Sequence, residues 1–280
     1  MMYRRFVNRA VVLLLIGFSG WLPSRLLAAV PTTAPAADFS HTWLLHLPGI
    51  GGEMPVDRDL RDGLKEGGWK GPLTIYDWTE NDPGLDALRN HKRNMCEAAK
   101  ISQMIEKRVR KDPQVRIMLT SHSGGTGLAV WALEKLPDEV KVQDLFLLAS
   151  ALSPSYDLGP ALKHVRGHAY VFYSQGDAVV LGTGTKLFGT IDGVRCEAAG
   201  LIGFAAPKGA DKTQYQKLVQ KPYDEGWQVY GHFGNHIGCM SEAFADHVLA
   251  PILTEDLIEA PVSGRPSARA APRREENCEK

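Results

Sequence analysis

The sequence predicts an α/β fold: a mostly parallel central sheet with helices on both faces. Three observations carry this expectation. Strand-like and helix-like segments alternate from about residue 42 to residue 253. Most strand-like runs are continuously apolar rather than alternating, the mark of strands covered on both sides. Turns rich in glycine, serine or histidine follow several of them, at the strand ends where such sheets place ligands.

In chain order, residues 42–47 form a short apolar run stopped by Pro48-Gly49, which reads as a buried strand. Residues 57–66 look helical and stop at Gly67-Gly68. Residues 73–78 read as the next strand. A long helix over 94–110 carries Ala98, Ile101, Met104, Ile105 and Val109 on one face and ends at Asp112-Pro113. Residues 115–120 are a third strand, and 125–136 a helix closed by Pro137. Strands are expected at 142–149 and 169–174, a last strand at 227–230, and a closing helix over 241–253 with Ser241 as its cap.

The ends differ from this core. Arg4, Arg5 and Arg9 precede an apolar stretch over 10–22, and Ala28-Ala29 offers a cleavage site, the three-part pattern of a secretory signal peptide over 1–29. The apolar stretch falls short of the roughly 20 residues a spanning helix needs. The expectation is therefore export to the periplasm or medium, with no stable membrane span after cleavage; an uncleaved anchor is the alternative. Residues 30–38 read as a Pro/Ala/Thr linker, 39–259 as the folded domain, and 260–280 as a disordered tail.

The chain has 280 residues, 44% hydrophobic and 23% charged, enough for a sizeable core. Lys plus Arg equals Asp plus Glu at 32 each, so nothing points to a nucleic-acid partner. Cys96, Cys196, Cys239 and Cys278 show no CxxC spacing, which argues against zinc. Export permits disulfides, and the pairing stays open. No metal and no cofactor is expected.

The chemistry centres on Ser123. The apolar run 117–120 leads into Ser121-His122-Ser123-Gly124-Gly125 and then a helix rich in small residues. A sharp strand-to-helix turn lifts one hydroxyl above the sheet, and it needs small residues two before and two after the serine; here these are Ser121 and Gly125. The segment resembles the G-x-S-x-G nucleophile elbow of the α/β-hydrolase superfamily, the serine esterase and lipase type, with Ser121 in place of the first glycine. The remaining assignments follow from that resemblance. The loop His46-Leu47-Pro48-Gly49-Ile50-Gly51-Gly52 is similar to the family's oxyanion loop, with Pro48 where a histidine usually stands. It implies Ile50 and Gly124 as the two N–H donors. The family's chain order is serine, acid, histidine. Gly176-Asp177, after the strand at 169–174, implies Asp177 as the acid, with Asp157 as the alternative and Asp192 behind it. The late loop Gly231-His232-Phe233-Gly234-Asn235-His236 implies His236 as the base, with His232 as the alternative.

His122 would shape the site without acting as base. His247 reads as a structural or surface residue, and His41, His91, His164 and His168 as solvated. His232 and His236 lack a third clustered ligand for a metal. Residues 181–226 read as a lid or insertion.

The resemblance implies a serine hydrolase acting on a small-molecule or lipid-like carboxylic ester through an acyl-enzyme. The alternatives are a catalytically silent binding protein of the same fold, or a peptidase or acyltransferase using the same triad.

Overall fold

A computed structural model describes residues 37–80 and 83–259. The expected signal peptide, residues 30–36 of the linker and residues 260–280 lie outside them.

Six strands form one sheet, and every pairing is parallel: β1 (Thr42–Leu47), β2 (Leu73–Ile75), β3 (Arg116–His122), β4 (Asp144–Leu148), β5 (Ala169–Tyr173) and β6 (Leu218–Pro222). Their spatial order is β2-β1-β3-β4-β5-β6. Every residue of β1, β3 and β4 is buried, which is why these strands read as largely apolar rather than alternating runs. The chain runs outward from β1 to β2, returns to the other side of β1 for β3, and continues outward to β6. The winding reverses between β1 and β3, and open parallel sheets hold their ligands beyond the strand ends at such a reversal.

Helices flank the sheet in two groups. α1 (Pro55–Glu66) packs with the helical turns from Glu242 onward and the C-terminal helix Ala250–Glu259. α2 (Leu85–Arg89) leads into α3 (His91–Lys111), which packs on α4 (Gly125–Glu134). The side chain of Asn90 caps α3 by accepting the Arg93 N–H. α4 is buried from Gly125 to Leu133, so its small residues let it lie flat on the sheet. Arg116 is 5% exposed and donates to the carbonyls of Leu257 and Asp38, clasping the C-terminal helix to the start of the domain.

The last strand is not where the pattern put it. Residues 227–230 belong to a tight 3₁₀ turn, Glu225–Tyr230, and the sixth strand is Leu218–Pro222. Trp227 owes its apolar surroundings to a ring cluster with Phe172, His232 and Phe244 rather than to a strand. β6 lies at the sheet edge, half exposed, and carries Gln220, Lys221 and Pro222, so it shows no apolar run. Within the expected insertion at 181–226, short helical turns at Thr185–Phe188, Ala199–Ile202 and Lys212–Tyr215 precede this strand. His164 is buried rather than solvated, with Nδ1 donating to the Val140 carbonyl.

Candidate active site

β3 ends in a bend that few side chains tolerate. Ser123 has φ of 51°, in the left-handed region where a non-glycine residue is strained. Its N–H donates to the Leu148 carbonyl on β4, and its own carbonyl accepts from Thr126 N and Oγ1 at 3.1 and 2.6 Å. These bonds hold the bend. A Cβ on Gly125 would overlap the carbonyl oxygens of Leu47 and Pro48, so the start of α4 is pressed against the end of β1. Ser121 fits the other cramped position: it is fully buried and its Oγ donates to the Phe146 carbonyl.

The glycine loop after β1 lies against this bend. A Cβ on Gly49 would stand 3.3 Å from Ser123 Cβ, and one on Gly124 3.5 Å from the Ile50 nitrogen. The glycine loop therefore packs directly on the elbow, and neither the Ile50 nor the Gly124 N–H has an acceptor among the described residues.

His236 Nε2 is 2.9 Å from Ser123 Oγ, and His236 Nδ1 is 2.5 Å from Asp177 Oδ2. Asp177 is 3% exposed, just past the end of β5, with its N–H bonded to the Ser174 carbonyl. The structure therefore brings Ser123, His236 and Asp177 into one hydrogen-bonded row beyond the ends of β3 and β5. His122 is also buried. Its Nε2 donates to the His236 carbonyl at 3.0 Å, and burial, with the nearby His236 ring adding to it, pushes its pKa down to about 3. His122 is consequently a neutral hydrogen-bond donor at neutral pH.

The alternatives stand elsewhere. Asp157 is exposed and accepts the Tyr215 hydroxyl at 2.8 Å and the Gly159 N–H at 2.9 Å. Asp192 accepts from the N–H and hydroxyl of Ser153. His232 is 3% exposed, stacked on Trp227 at 5.6 Å, and accepts the Gly234 N–H; burial pushes its pKa down to about 4. Cys239 is a free, buried thiol pushed up to about 12 by burial, with Sγ 3.8 Å from the His236 carbonyl. Among the described residues, no group of His, Cys, Asp and Glu could hold a metal ion.

Several residues that sequence reasoning passed over hold the glycine loop. Trp78 Nε1 donates to the Pro48 carbonyl at 2.8 Å, and Asp77 accepts the Glu53 N–H at 3.0 Å. Asp57 Oδ2 accepts the Met54 N–H at 2.7 Å, while Asp57 Oδ1 lies 2.9 Å from His46 Nε2. Two signals were available: an acid two residues after a proline at a helix start, and a histidine inside an apolar strand, where a buried polar group needs partners.

Several apolar side chains that adjoin the site residues in the chain are exposed. Ile237 follows His236, Val179 and Val180 follow Asp177, Met54 closes the glycine loop, and Leu85 follows Gly84, whose N–H bonds the Ile50 carbonyl. No helix among the described residues is long and apolar enough to cross a membrane.

No protein-family model and no curated protein matches the chain. Solved structures do. A lipase B from Aspergillus fumigatus matches at TM-score 0.49 and 11% identity, over 81% of this chain and 55% of that one. A cutinase-like protein from Cryptococcus sp. matches at TM-score 0.39 and 13% identity, over 80% and 98%. A thioesterase of the prodiginine pathway in Streptomyces coelicolor matches at 0.40 and 16%, over 80% and 96%. A parallel sheet flanked by helices hosts many chemistries, so the site here is read from this chain's own atoms.

Proposed function

We propose that this protein is an exported serine hydrolase that cleaves carboxylic esters, with Ser123 as nucleophile, His236 as base and Asp177 as the orienting acid. The observation that carries this reading is the continuous row from Ser123 Oγ through both His236 nitrogens to Asp177, at 2.9 and 2.5 Å. With the Nδ1 proton shared toward Asp177, Nε2 accepts the serine proton as Oγ attacks the ester carbonyl. The carbonyl oxygen becomes an alkoxide, and the adjacent Ile50 and Gly124 N–H groups are free to receive it. The N-terminal end of α4 adds its partial positive charge. His236 then passes the proton to the departing alcohol. Water, deprotonated by the same imidazole, releases the acid. Loss of one oxyanion donor typically costs about 3 kcal/mol, or about two orders of magnitude in rate.

We place the exposed apolar side chains near the site residues, Val179, Val180 and Ile237 among them, at its rim, where they would favour an ester with a hydrophobic acyl or alcohol part. The charged start, apolar stretch and Ala28-Ala29 of the amino terminus support export.

A fluorophosphonate probe tests the assignment. It should label the wild-type protein, fail on Ser123→Ala, and block hydrolysis of p-nitrophenyl esters in proportion to labelling. A folded wild-type protein that takes no label would overturn the reading in favour of a binding protein. Transfer of the acyl group to an added alcohol at the expense of hydrolysis would move it to an acyltransferase.

A further inference from the structure

The two oxyanion donors sit on different elements, so something must keep them in step. Gly124 is held by the elbow. Ile50 lies in a loop with Gly49, Gly51 and Gly52, whose backbone is intrinsically permissive. A donor displaced by a fraction of an ångström loses much of its effect on a developing charge.

The far end of this loop is anchored through a buried relay. The Met54 N–H donates to Asp57 Oδ2 at 2.7 Å. Asp57 Oδ1 is 2.9 Å from His46 Nε2, and His46 Nδ1 is 2.9 Å from Thr120 Oγ1. Thr120 stands on β3, directly opposite His46 on β1 and three residues before Ser123. His46, Asp57 and Thr120 are 1%, 2% and 1% exposed. The relay therefore connects the strand that carries the nucleophile to the loop that carries the second donor.

A simpler role for Asp57 is capping α1, since it accepts the N–H of the residue ahead of that helix. Capping requires neither full burial nor His46 and Thr120 behind the carboxylate. Nor does stability explain the set well. Removing a carboxylate and an imidazole from water opposes their mutual attraction, and apolar residues of similar size often serve a core equally well. What an apolar pair could not do is fix the distance from β3 to the Met54 amide.

We infer that His46 and Asp57, with Thr120, are positioning residues that hold the Ile50 N–H in register with the Gly124 N–H. None of the three touches substrate. The inference rests on the proposed role of Ser123 and extends it to the residues that tune the oxyanion site.

The test compares Asp57→Ala and Asp57→Asn in the full-length protein, by thermal melting, steady-state kinetics on a p-nitrophenyl ester and inhibition by a boronic acid that forms a tetrahedral adduct. Asp57→Ala should lower kcat about tenfold, less than outright loss of a donor. The boronate Ki should rise by the same factor while KM stays within about twofold, because only the tetrahedral species uses the oxyanion site fully. Asp57→Asn still offers an oxygen to the Met54 N–H and should recover most of kcat. If Asp57→Ala melts early but its folded fraction keeps wild-type kcat and Ki, the relay is purely structural and the inference falls. If Asp57→Ala does not fold, Thr120→Val removes only the last bond of the relay: a smaller fall in kcat matched by the Ki, and restored by Thr120→Ser, supports the inference, and unchanged values overturn it. Fluorophosphonate labelling of the wild type separates the two failures. An unlabelled wild type removes the catalytic reading itself, whereas a labelled wild type with an indifferent Asp57→Ala removes only the relay.

Discussion

The imidazole of His122 donates from Nε2 to the main-chain carbonyl of His236 at 3.0 Å, with the two rings 4.9 Å apart and tilted. The residue before the elbow serine thus grips the backbone of the residue that faces that serine. The elbow and the late histidine loop lie 114 residues apart in the chain, and this bond ties them together.

Replacing His122 with Phe keeps a ring but removes the donor. It should lower kcat about tenfold, the scale of one lost hydrogen bond to a neutral acceptor, with KM nearly unchanged. His122→Gln, which retains an N–H donor, should recover part of the loss. Steady-state kinetics beside a thermal melt decides; equal activity in all three proteins would remove His122 from the site.

Asp177→Asn presents an amide to His236 Nδ1 in place of a carboxylate and favours the wrong tautomer. The expected fall in kcat is about 10⁴-fold, as for the same change in a serine triad, with the melting temperature changed little. A loss under tenfold would mean that Asp177 does not orient the base.

Gly125→Ala drives a methyl group into the carbonyl oxygens of Leu47 and Pro48. Overpacking of this kind destabilises by about 1–3 kcal/mol, and the shift should also displace the glycine loop, so activity should fall further than stability does. Ser121→Gly forfeits the Oγ bond to the Phe146 carbonyl, worth about 1 kcal/mol, adds a similar backbone-entropy cost, and should keep nearly full activity. Urea unfolding alongside kinetics separates the two effects.

Acid should weaken the fold through its buried histidines. Burial pushes His232 down to about 4, while in the unfolded chain the same side chain titrates near about 6.5. The folded-state pKa is the depressed one. The stability it supports is therefore present above pH 6.5 and is lost as pH falls toward the folded value, because the unfolded state takes up a proton that the folded state refuses. The loss from His232 is on the order of 3 kcal/mol across that window; His122, held near 3 by burial and by His236, adds in the same direction. Urea unfolding at pH 7.5, 5.5 and 4.5 should follow this slope, and His232→Phe should flatten it. An unchanged slope in that variant would place the acid sensitivity elsewhere.

If the rim of exposed apolar side chains receives the substrate, Val179→Glu and Ile237→Glu should lower kcat/KM for an octanoate ester several-fold more than for an acetate ester. A carboxylate at the entrance desolvates poorly against a long chain. Equal loss on both esters would detach the rim from substrate choice.

Most of the sheet was legible because its strands are buried on both faces. β1 spans the expected residues, β3 and β4 differ from expectation by a residue or two at each end, β5 ends one residue early, and β2 stops at Ile75 rather than Trp78. β6 was not legible: an edge strand reading Leu-Val-Gln-Lys-Pro satisfies its backbone on one side only and keeps half its side chains wet. The false strand at 227–230 arose because Trp227 packs its ring in a cluster, and composition alone does not separate ring packing from strand burial. At the site, the elbow was visible because its strained turn restricts residue type, and the late loop through the family resemblance. The grip of His122 on His236 and the His46–Asp57 pair were not, since each joins residues whose nearness is created by folding. The sequence named His236 with His232 as its alternative; their surroundings differ, one sealed among Trp227, Tyr223 and Phe244, the other facing Ser123.

The two outermost strands have a bearing on how the protein behaves at high concentration. β2 is only three residues long, and β6 ends in Lys221-Pro222. A prolyl nitrogen has no hydrogen to offer, and a lysine ammonium resists being dried against a neighbouring chain. Neither border of the sheet therefore presents a long row of vacant amides on which another molecule could template, and ribbon-like self-association has little to grow from.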